Sequence, residues 1–354
     1  MRRLLALKSG LKNLIARRPL NSSTEIRLTR LCTQRCLQCS VYERKTEPPT
    51  MSWEHFQQIA RRLREYGAYI GFISGGEATL VPHLDKILLE AKQTFPLATT
   101  LVTGLYNKTA TIEKFGKIAL ENNIHIQTSL DGLGELGDKL RGAKNFAETV
   151  LKHIALLSDW RQNSKSLLYA NIVINNLNLE QVPELIQRAN DLGWRVTIGM
   201  YHSLTATTRF DQELKLVPGQ RLDRLIDFLV DNPAILNLNS FIKGINRFVR
   251  TGRSNICAFT DSPLFSTRLT IMEDGQVHLC WGDPIGNLFE QDLRSIFTGD
   301  AYQARLRQYQ SCHGCWTTCY TQRYLLTHPR SLEELWDNTK KVVGLKSRSG
   351  ISNG

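Results

Sequence analysis

The chain has 354 residues, 42% of them hydrophobic, and a formal net charge of +12. The length suggests a large core domain with a smaller one beside it. No apolar stretch approaches the length of a transmembrane helix. No cleaved secretory signal stands at the N-terminus, so a reducing, cytoplasmic setting is expected for the eight cysteines, and disulfides are disfavoured.

The excess positive charge is uneven. Arg2, Arg3, Lys8, Lys12, Arg17 and Arg18 all precede the first acid, Glu25. Leu4, Leu7, Leu11, Leu14 and Ile15 follow steps of three and four and would share one helix face. Such a basic amphipathic segment, residues 1–19, fits two roles. It could lie on an anionic membrane at the inner face, making a peripheral contact through residues 2–18, or pack as a helix across the core domain.

Beyond it, 25–30 alternates like a strand, with Ile26 and Leu28 on one face. Cys32, Cys36 and Cys39 follow as C-x3-C-x2-C. A loop over 42–50 contains Pro48 and Pro49. Ser52 is placed to N-cap a helix over 53–66, which Gly67 stops. The apolar run 69–73 reads as a strand ending in Ser74-Gly75-Gly76-Glu77. Further strands are expected at 99–104, 124–129, 168–174 and 195–200, with helices at 111–121, about 145–157 and 182–192 between them. Six strands alternating with helices imply a parallel sheet with its functional loops at the C-terminal strand ends.

Three clustered thiolates are one short of the four that close an all-cysteine iron–sulfur cubane. An incomplete set leaves a metal position open for chemistry. Zinc is the alternative, although structural zinc sites pair their ligands differently. Gly75 and Gly76 let a backbone pass close to a ligand, and the neighbouring Glu77 can accept from an ammonium group.

The C-x3-C-x2-C run, followed one βα unit later by Gly-Gly-Glu, resembles the radical S-adenosylmethionine superfamily. The resemblance spans about 25 to 320. It implies a partial (β/α)6 TIM-like barrel over 20–203 and a 4Fe–4S cluster on Cys32, Cys36 and Cys39. It also implies S-adenosylmethionine held by Gly75, Gly76, Glu77, Thr103, Ser129 and Arg141, with Glu77 on the amino group. Arg141 has a surface residue as its alternative. Three positions depart from the family pattern: Gln38 replaces an aromatic residue, Ala78 a proline and Thr103 an asparagine.

A helical connector is expected at 204–256, with amphipathic stretches at 221–230 and 241–249. Five more cysteines follow: Cys257, Cys280, Cys312, Cys315 and Cys319. Residues 270–277 read as a hairpin with Asp274-Gly275 at its turn, and a helical stretch ends near Gln310. This region, 257–325, resembles the SPASM/twitch branch of the superfamily. Five thiolates cannot fill the eight places of two all-cysteine cubanes, so one auxiliary 4Fe–4S cluster is expected, with one thiol to spare. Zinc remains the competitor here. His278 and His313 are taken as exposed turn residues. The basic tail, 326–354, is expected to be loose beyond Lys340.

The resemblance implies an enzyme, an oxidoreductase or maturase. It would cleave S-adenosylmethionine reductively to a 5′-deoxyadenosyl radical, abstract hydrogen from an unactivated carbon, and oxidise or bond it with help from the auxiliary cluster. An electron donor such as flavodoxin or ferredoxin is implied as partner. Peptide maturases of the branch often carry a recognition domain before the barrel. With about two dozen residues ahead of the first strand, a small molecule, a lipid-linked substrate or a peptide brought by a partner is expected. An RNA-modifying enzyme and a zinc-scaffolded binding protein are the rival readings; no RNA-binding signature accompanies the charge.

Overall fold

The computed structural model describes residues 2–39, 49–161, 164–202, 210–262, 264, 267–280, 282–329 and 331–348. Most of the 42–50 loop expected from sequence, and the start of the 204–256 connector, lie outside these residues.

In chain order the elements are α1 (Arg2–Ile15), β1 (Asn21–Arg27), α2 (Trp53–Tyr66), β2 (Ile70–Ser74), α3 (Leu84–Thr94), β3 (Ala98–Val102), α4 (Thr109–Glu121) and β4 (His125–Ser129). Then come α5 (Gly134–Arg141), α6 (Phe146–Trp160), β5 (Leu168–Ile174), α7 (Val182–Asp191), β6 (Arg195–Met200), α8 (Asp211–Leu214), α9 (Gln220–Leu229) and α10 (Asn239–Thr251). The last part contains α11 (Ala258–Asp261), β7 (Thr267–Ile271), β8 (Gln276–His278), β9 (Gly286–Asn287), α12 (Leu293–Thr298), α13 (Asp300–Tyr309), α14 (Thr321–Thr327) and α15 (Leu332–Arg348). The last helix corrects the expectation of a loose tail as far as Arg348; the rest of the tail lies outside the described residues. The first turn of this helix carries Glu333 and Glu334, which favour a helix N-terminus.

The elements fall into two compact units, each discontinuous in sequence. One comprises 1–35, 40–127 and 258–312; the other comprises 36–39, 128–257 and 313–354. The division passes through the first cysteine run, between Arg35 and Cys36.

In the first unit the strand order is β4-β3-β2-β1-β7-β8-β9. The pairs β1–β2, β2–β3 and β3–β4 are parallel. So is β1–β7, with Ile26 opposite Ile271. One face is apolar: Ile26, Ile73, Leu101, Ile126 and Ile271 are essentially inaccessible. The helix α2 shows how the sequence builds the covering layer. Ser52 Oγ accepts from His55 N at 3.1 Å, Gly67 closes the helix at φ 100°, and Phe56, Ile59, Ala60, Leu63 and Tyr66 form its buried stripe. The expected hairpin is present. Met272 O accepts from Gly275 N at 3.0 Å, with Gly275 at φ 82°, and Thr270 and Ile271 face His278 and Val277. Its first strand, however, extends the parallel sheet beside β1 instead of starting a separate sheet.

The N-terminal segment is a helix, seated by a different face from the expected one. Asn13 Nδ2 donates to Tyr66 O at 2.8 Å, and Gly10 lies against Tyr69 and Leu20. Leu11 and Ile15, read as part of the apolar stripe, are exposed by 60% and 76%.

In the second unit β5 and β6 pair in parallel, from Tyr169 opposite Arg195 to Ile174 opposite Met200. Leu130 N donates to Asn171 O at 3.0 Å. Trp194, Phe146 and Phe241 are among the largest buried side chains.

Gly71 tests the packing of the first unit. A Cβ there would sit 2.0 Å from Phe95 Cδ2, and Phe95 is fully buried. Gly71→Ala is expected to lower stability by about 1–3 kcal/mol, the usual cost of overpacking. A shifted urea midpoint measured without oxygen would show it; an unchanged midpoint would mean that Phe95 yields freely.

Candidate functional site

Two clusters of polar groups, one in each unit, contain the residues singled out by sequence. In the first unit, the backbone of β1 runs on into the cysteine loop alongside the end of β2. Gly76 N donates to Thr29 O at 2.6 Å and Glu77 N to Leu31 O at 2.7 Å. A Cβ at Gly75 would lie 2.8 Å from Thr29 O, and one at Gly76 2.2 Å from Leu31 O. The glycines are therefore required by the close approach of the cysteine loop's own backbone.

Glu77 is buried and its carboxylate is already shared. Oε1 accepts from Thr79 N at 3.0 Å, Thr79 Oγ1 at 2.7 Å and Thr103 Oγ1 at 2.6 Å; Oε2 accepts from Gly104 N at 2.7 Å. Thr103, at the position of the family's asparagine, thus ties the end of β3 to Glu77. Asn107 Nδ2 reaches Thr79 Oγ1 at 3.0 Å and extends the network. Gln34 is buried against Gly104, and its backbone N–H points at Cys32 Sγ at 3.4 Å. Arg30 Nε faces the Glu273 carboxylate in a buried ion pair. That pair joins the turn of the β7–β8 hairpin to the start of the cysteine loop.

In the second unit, Cys36 is buried and Cys39 half-buried, and Leu37 N donates to Leu140 O at 3.0 Å. Asp131 is fully buried. It accepts from Arg141 Nη1 at 2.8 Å, Gln38 Nε2 at 2.7 Å and Val173 N at 2.7 Å. Arg141 is buried, which corrects the surface alternative. Burial disfavours its charge, but Cys36, Asp131 and Cys39 outweigh that and keep the guanidinium protonated. Ser129, at the end of β4, is half-buried.

The five later cysteines divide between the units. In the first, Cys280 N lies 3.3 Å from Tyr309 Oη, and Cys312 N donates to Tyr309 O at 3.0 Å. His278 is tied to the same stretch, its Nδ1 lying 3.0 Å from Gly282 O. In the second, Ser254 N and Asn255 N both donate to His313 O at 3.1 Å, which draws the Cys257 segment to the Cys315 segment. Trp316 anchors the run. It stacks on Phe241 at 5.8 Å, donates from Nε1 to Phe241 O at 2.8 Å, and fills the space that a Cβ at Gly244 would need.

None of the eight cysteines is in a disulfide. Among the described residues, no group of three or more His, Cys, Asp or Glu side chains closes into a metal-binding set. The donor chemistry within each unit suits anionic sulfur: in the first a backbone N–H is aimed at Cys32, and in the second a buried guanidinium lies beside Cys36 and Cys39. Buried Thr33 Oγ1 and Gln38 Oε1, both in the cysteine loop, have no hydrogen-bond partner among the described residues. Residues that sequence reasoning passed over are Asp131, Gln34 and Thr79. Asp131 had a signal: an Asp-Gly pair at a strand end, followed by a helix that carries an arginine.

Comparison with known proteins agrees with this geometry. The model of the radical SAM superfamily matches residues 26–189, and that of the SPASM iron–sulfur cluster-binding domain matches 264–316. Residues 26–189 thus form a region of the radical S-adenosylmethionine superfamily, and residues 264–316 a SPASM domain. The radical SAM match implies S-adenosylmethionine and a 4Fe–4S cluster, and the SPASM match implies auxiliary iron–sulfur clusters.

Among its relatives, the sporulation killing factor maturation protein SkfB of Bacillus subtilis (strain 168) is 23% identical over 48% of this chain and 40% of that protein. The PqqA peptide cyclase of Bradyrhizobium diazoefficiens is 27% identical over 47% of this chain and 43% of that one. The matched region thus spans less than half the length of these curated relatives. The solved structure of Streptococcus suis SuiB bound to precursor peptide SuiA is 18% identical, with a TM-score of 0.63, over 84% of this chain and 70% of that one. That likeness establishes the fold, the partial barrel expected from sequence.

Glu77→Gln replaces an acceptor by an amide N–H that must oppose existing donors. It is expected to cost about 1–3 kcal/mol of stability and to weaken S-adenosylmethionine binding through the disturbed Thr103–Gly104 turn. Thermal unfolding and equilibrium dialysis on the same preparation check both. Weaker binding with unaltered stability would instead mean that Glu77 acts on the ligand directly.

Proposed function

We propose that the protein is a radical SAM enzyme that modifies a peptide. What carries this reading is the chemistry in the relatives' names: a maturation protein, a peptide cyclase and a protein solved with a precursor peptide bound. Cys32, Cys36 and Cys39 would hold the first 4Fe–4S cluster. When bound, that cluster supplies the electron that cleaves S-adenosylmethionine. Arg141, positioned by Asp131, would offset negative charge at Cys36 and Cys39. Glu77 and Thr103 would shape the turn that receives S-adenosylmethionine, with Gly75, Gly76 and Ser129 as further contacts. Four of Cys257, Cys280, Cys312, Cys315 and Cys319 would hold an auxiliary cluster. A ferredoxin or flavodoxin would serve as reductant.

Replacing Cys32, Cys36 and Cys39 together by alanine is expected to remove about four of about eight irons and to abolish 5′-deoxyadenosine formation. Iron counting and chromatography measure the two effects; undiminished cleavage would sink the assignment. Wild-type protein with reductant and pools of short peptides is expected to yield peptides of altered mass alongside 5′-deoxyadenosine. If 5′-deoxyadenosine formed while every peptide kept its mass, the substrate would be sought among small molecules.

A peripheral membrane contact is also proposed, on one observation. The outward side of α1 places exposed Leu11 and Ile15 among exposed Lys8, Lys12 and Arg17. This combination of apolar and cationic groups suits an anionic lipid surface. Among the described residues no helix is long and apolar enough to cross a membrane. Leu11→Gln with Ile15→Gln is expected to weaken sedimentation with anionic vesicles about tenfold or more, since a buried aliphatic side chain contributes about 1.5–3 kcal/mol. Iron content is expected to stay the same. Binding to vesicles should also fade with salt; no wild-type binding even at low salt would end the idea.

A further inference from the structure

The second unit contains a cavity of about 320 Å³, bounded by α10, the turn that follows it and the start of α15. Gly244 and Trp316 contribute its apolar floor. That floor is fixed: Trp316 is 3% exposed, and its Nε1 donates to Phe241 O at 2.8 Å. The walls adjoin two of the cysteines in sequence. Ser254, which lines the cavity, lies three residues before Cys257, and Trp316 directly follows Cys315.

One wall is cationic. Lys243 and Arg247 are four residues apart on α10 and so share a face. Arg253 joins them because the chain turns back: Gly252 closes α10 at φ 66°, and Thr251 Oγ1 donates to both Arg247 O and Arg253 O at 2.9 Å. The other wall is anionic, with Glu333, Glu334 and Asp337 from the first turns of α15. Like charges four residues apart, as in Lys243 with Arg247 and Glu333 with Asp337, work against a helix. The two walls are bridged by one ion pair, Lys243 Nζ at 4.0 Å from Asp337 Oδ2. Among the described residues, the guanidiniums of Arg247 and Arg253 and the carboxylate of Glu333 have no hydrogen bond and no ion pair. All three residues are exposed. Charges of both signs thus line one cavity without neutralising each other.

Building on the reading of a peptide-modifying enzyme, we propose that this cavity docks a segment of the substrate peptide that carries one acidic and one basic side chain. The carboxylate goes to Arg247 and Arg253, and the cation to Glu333. Paired guanidiniums bind carboxylates through short, directional, charge-assisted bonds. Opposed walls also fix the orientation of the segment and repel a ligand of a single sign. The volume is at the small end for ligand pockets, which suits a few side chains.

The test uses iron-reconstituted, full-length protein with S-adenosylmethionine and four pools of random short peptides. All peptides are acetylated and amidated at their ends and lack Asp, Arg and His, so that charge comes from Glu and Lys alone. One pool contains both, one has Lys replaced by Gln, one has Glu replaced by Gln, and one has both replaced. Retained peptide is quantified by mass spectrometry. Wild-type protein is expected to retain the pool with both charges about tenfold better than either single-charge pool, the effect of one charge-assisted hydrogen bond. Arg247→Gln with Arg253→Gln should erase the gain from Glu and keep the gain from Lys; Glu333→Gln should do the reverse. Lys86→Gln with Lys152→Gln, at exposed lysines outside the cavity, removes as much charge as the arginine pair and should alter neither gain. Iron content and thermal midpoint are expected to hold in every variant. If the double arginine variant unfolds early, Glu333→Gln decides alone. Equal retention of the four pools, or an equal loss in the lysine variant, overturns the inference and leaves the peptide reading standing. Retention of no pool overturns both.

Discussion

The arrangement of the first unit rests on the contact between two backbones, where Thr29 to Leu31 run beside Gly75 to Glu77. Two carbonyls of the cysteine loop accept hydrogen bonds from this turn at 2.6 and 2.7 Å. Any side chain at Gly75 or Gly76 would collide with those carbonyls. The approach leaves Glu77 facing inward, where four hydrogen bonds from Thr79, Thr103 and Gly104 satisfy both carboxylate oxygens. A buried carboxylate is tolerated only when it is satisfied in this way. The loop bearing Cys32, the end of β2 and the end of β3 are thereby fixed to one another.

A comparable hub organises the second unit. Asp131 collects Arg141, Gln38 and the backbone of Val173. Gln38 replaces the family's aromatic residue, and its amide is engaged by Asp131 rather than facing outward. Both hubs use a buried carboxylate to orient neutral or cationic donors near the cysteine loop. Such groups are costly to bury when partly satisfied and confer rigidity when fully satisfied. That accounts for carboxylates at strand ends that otherwise close on apolar residues.

The SPASM segment is joined to the superfamily's own strands inside the first unit. β7 pairs with β1, Glu273 pairs with Arg30, and Phe289 stacks on His55 of α2 at 4.1 Å while its carbonyl accepts from Gln58. A change in the hairpin would therefore be felt at the start of the cysteine loop through packed, hydrogen-bonded elements.

Local pattern determined much of this protein. The ranges of α2, β5 and β6, the Asp274–Gly275 hairpin and the order of strands and helices were legible, because capping, turn chemistry and alternation act within a few residues. The C-x3-C-x2-C run and the Gly-Gly-Glu turn, also local, carried the resemblance to the superfamily whose model matches 26–189. Other features only the tertiary structure decided. The outward placement of Leu11 and Ile15 depends on which face of α1 finds Tyr66, and a helical repeat cannot say which side will dock. The tail helix α15 was obscured by its polar composition. The network around Glu77, the burial of Arg141 against Asp131, and the pairing of β7 with β1 join residues far apart in the chain. The alternation Glu25-Ile26-Arg27-Leu28 shows two faces, but only the register of Arg268 beside β1 brings a second guanidinium, after that of Arg27, to the Glu25 carboxylate. Such contacts are set by how the elements pack, and spacing along the chain carries no record of them.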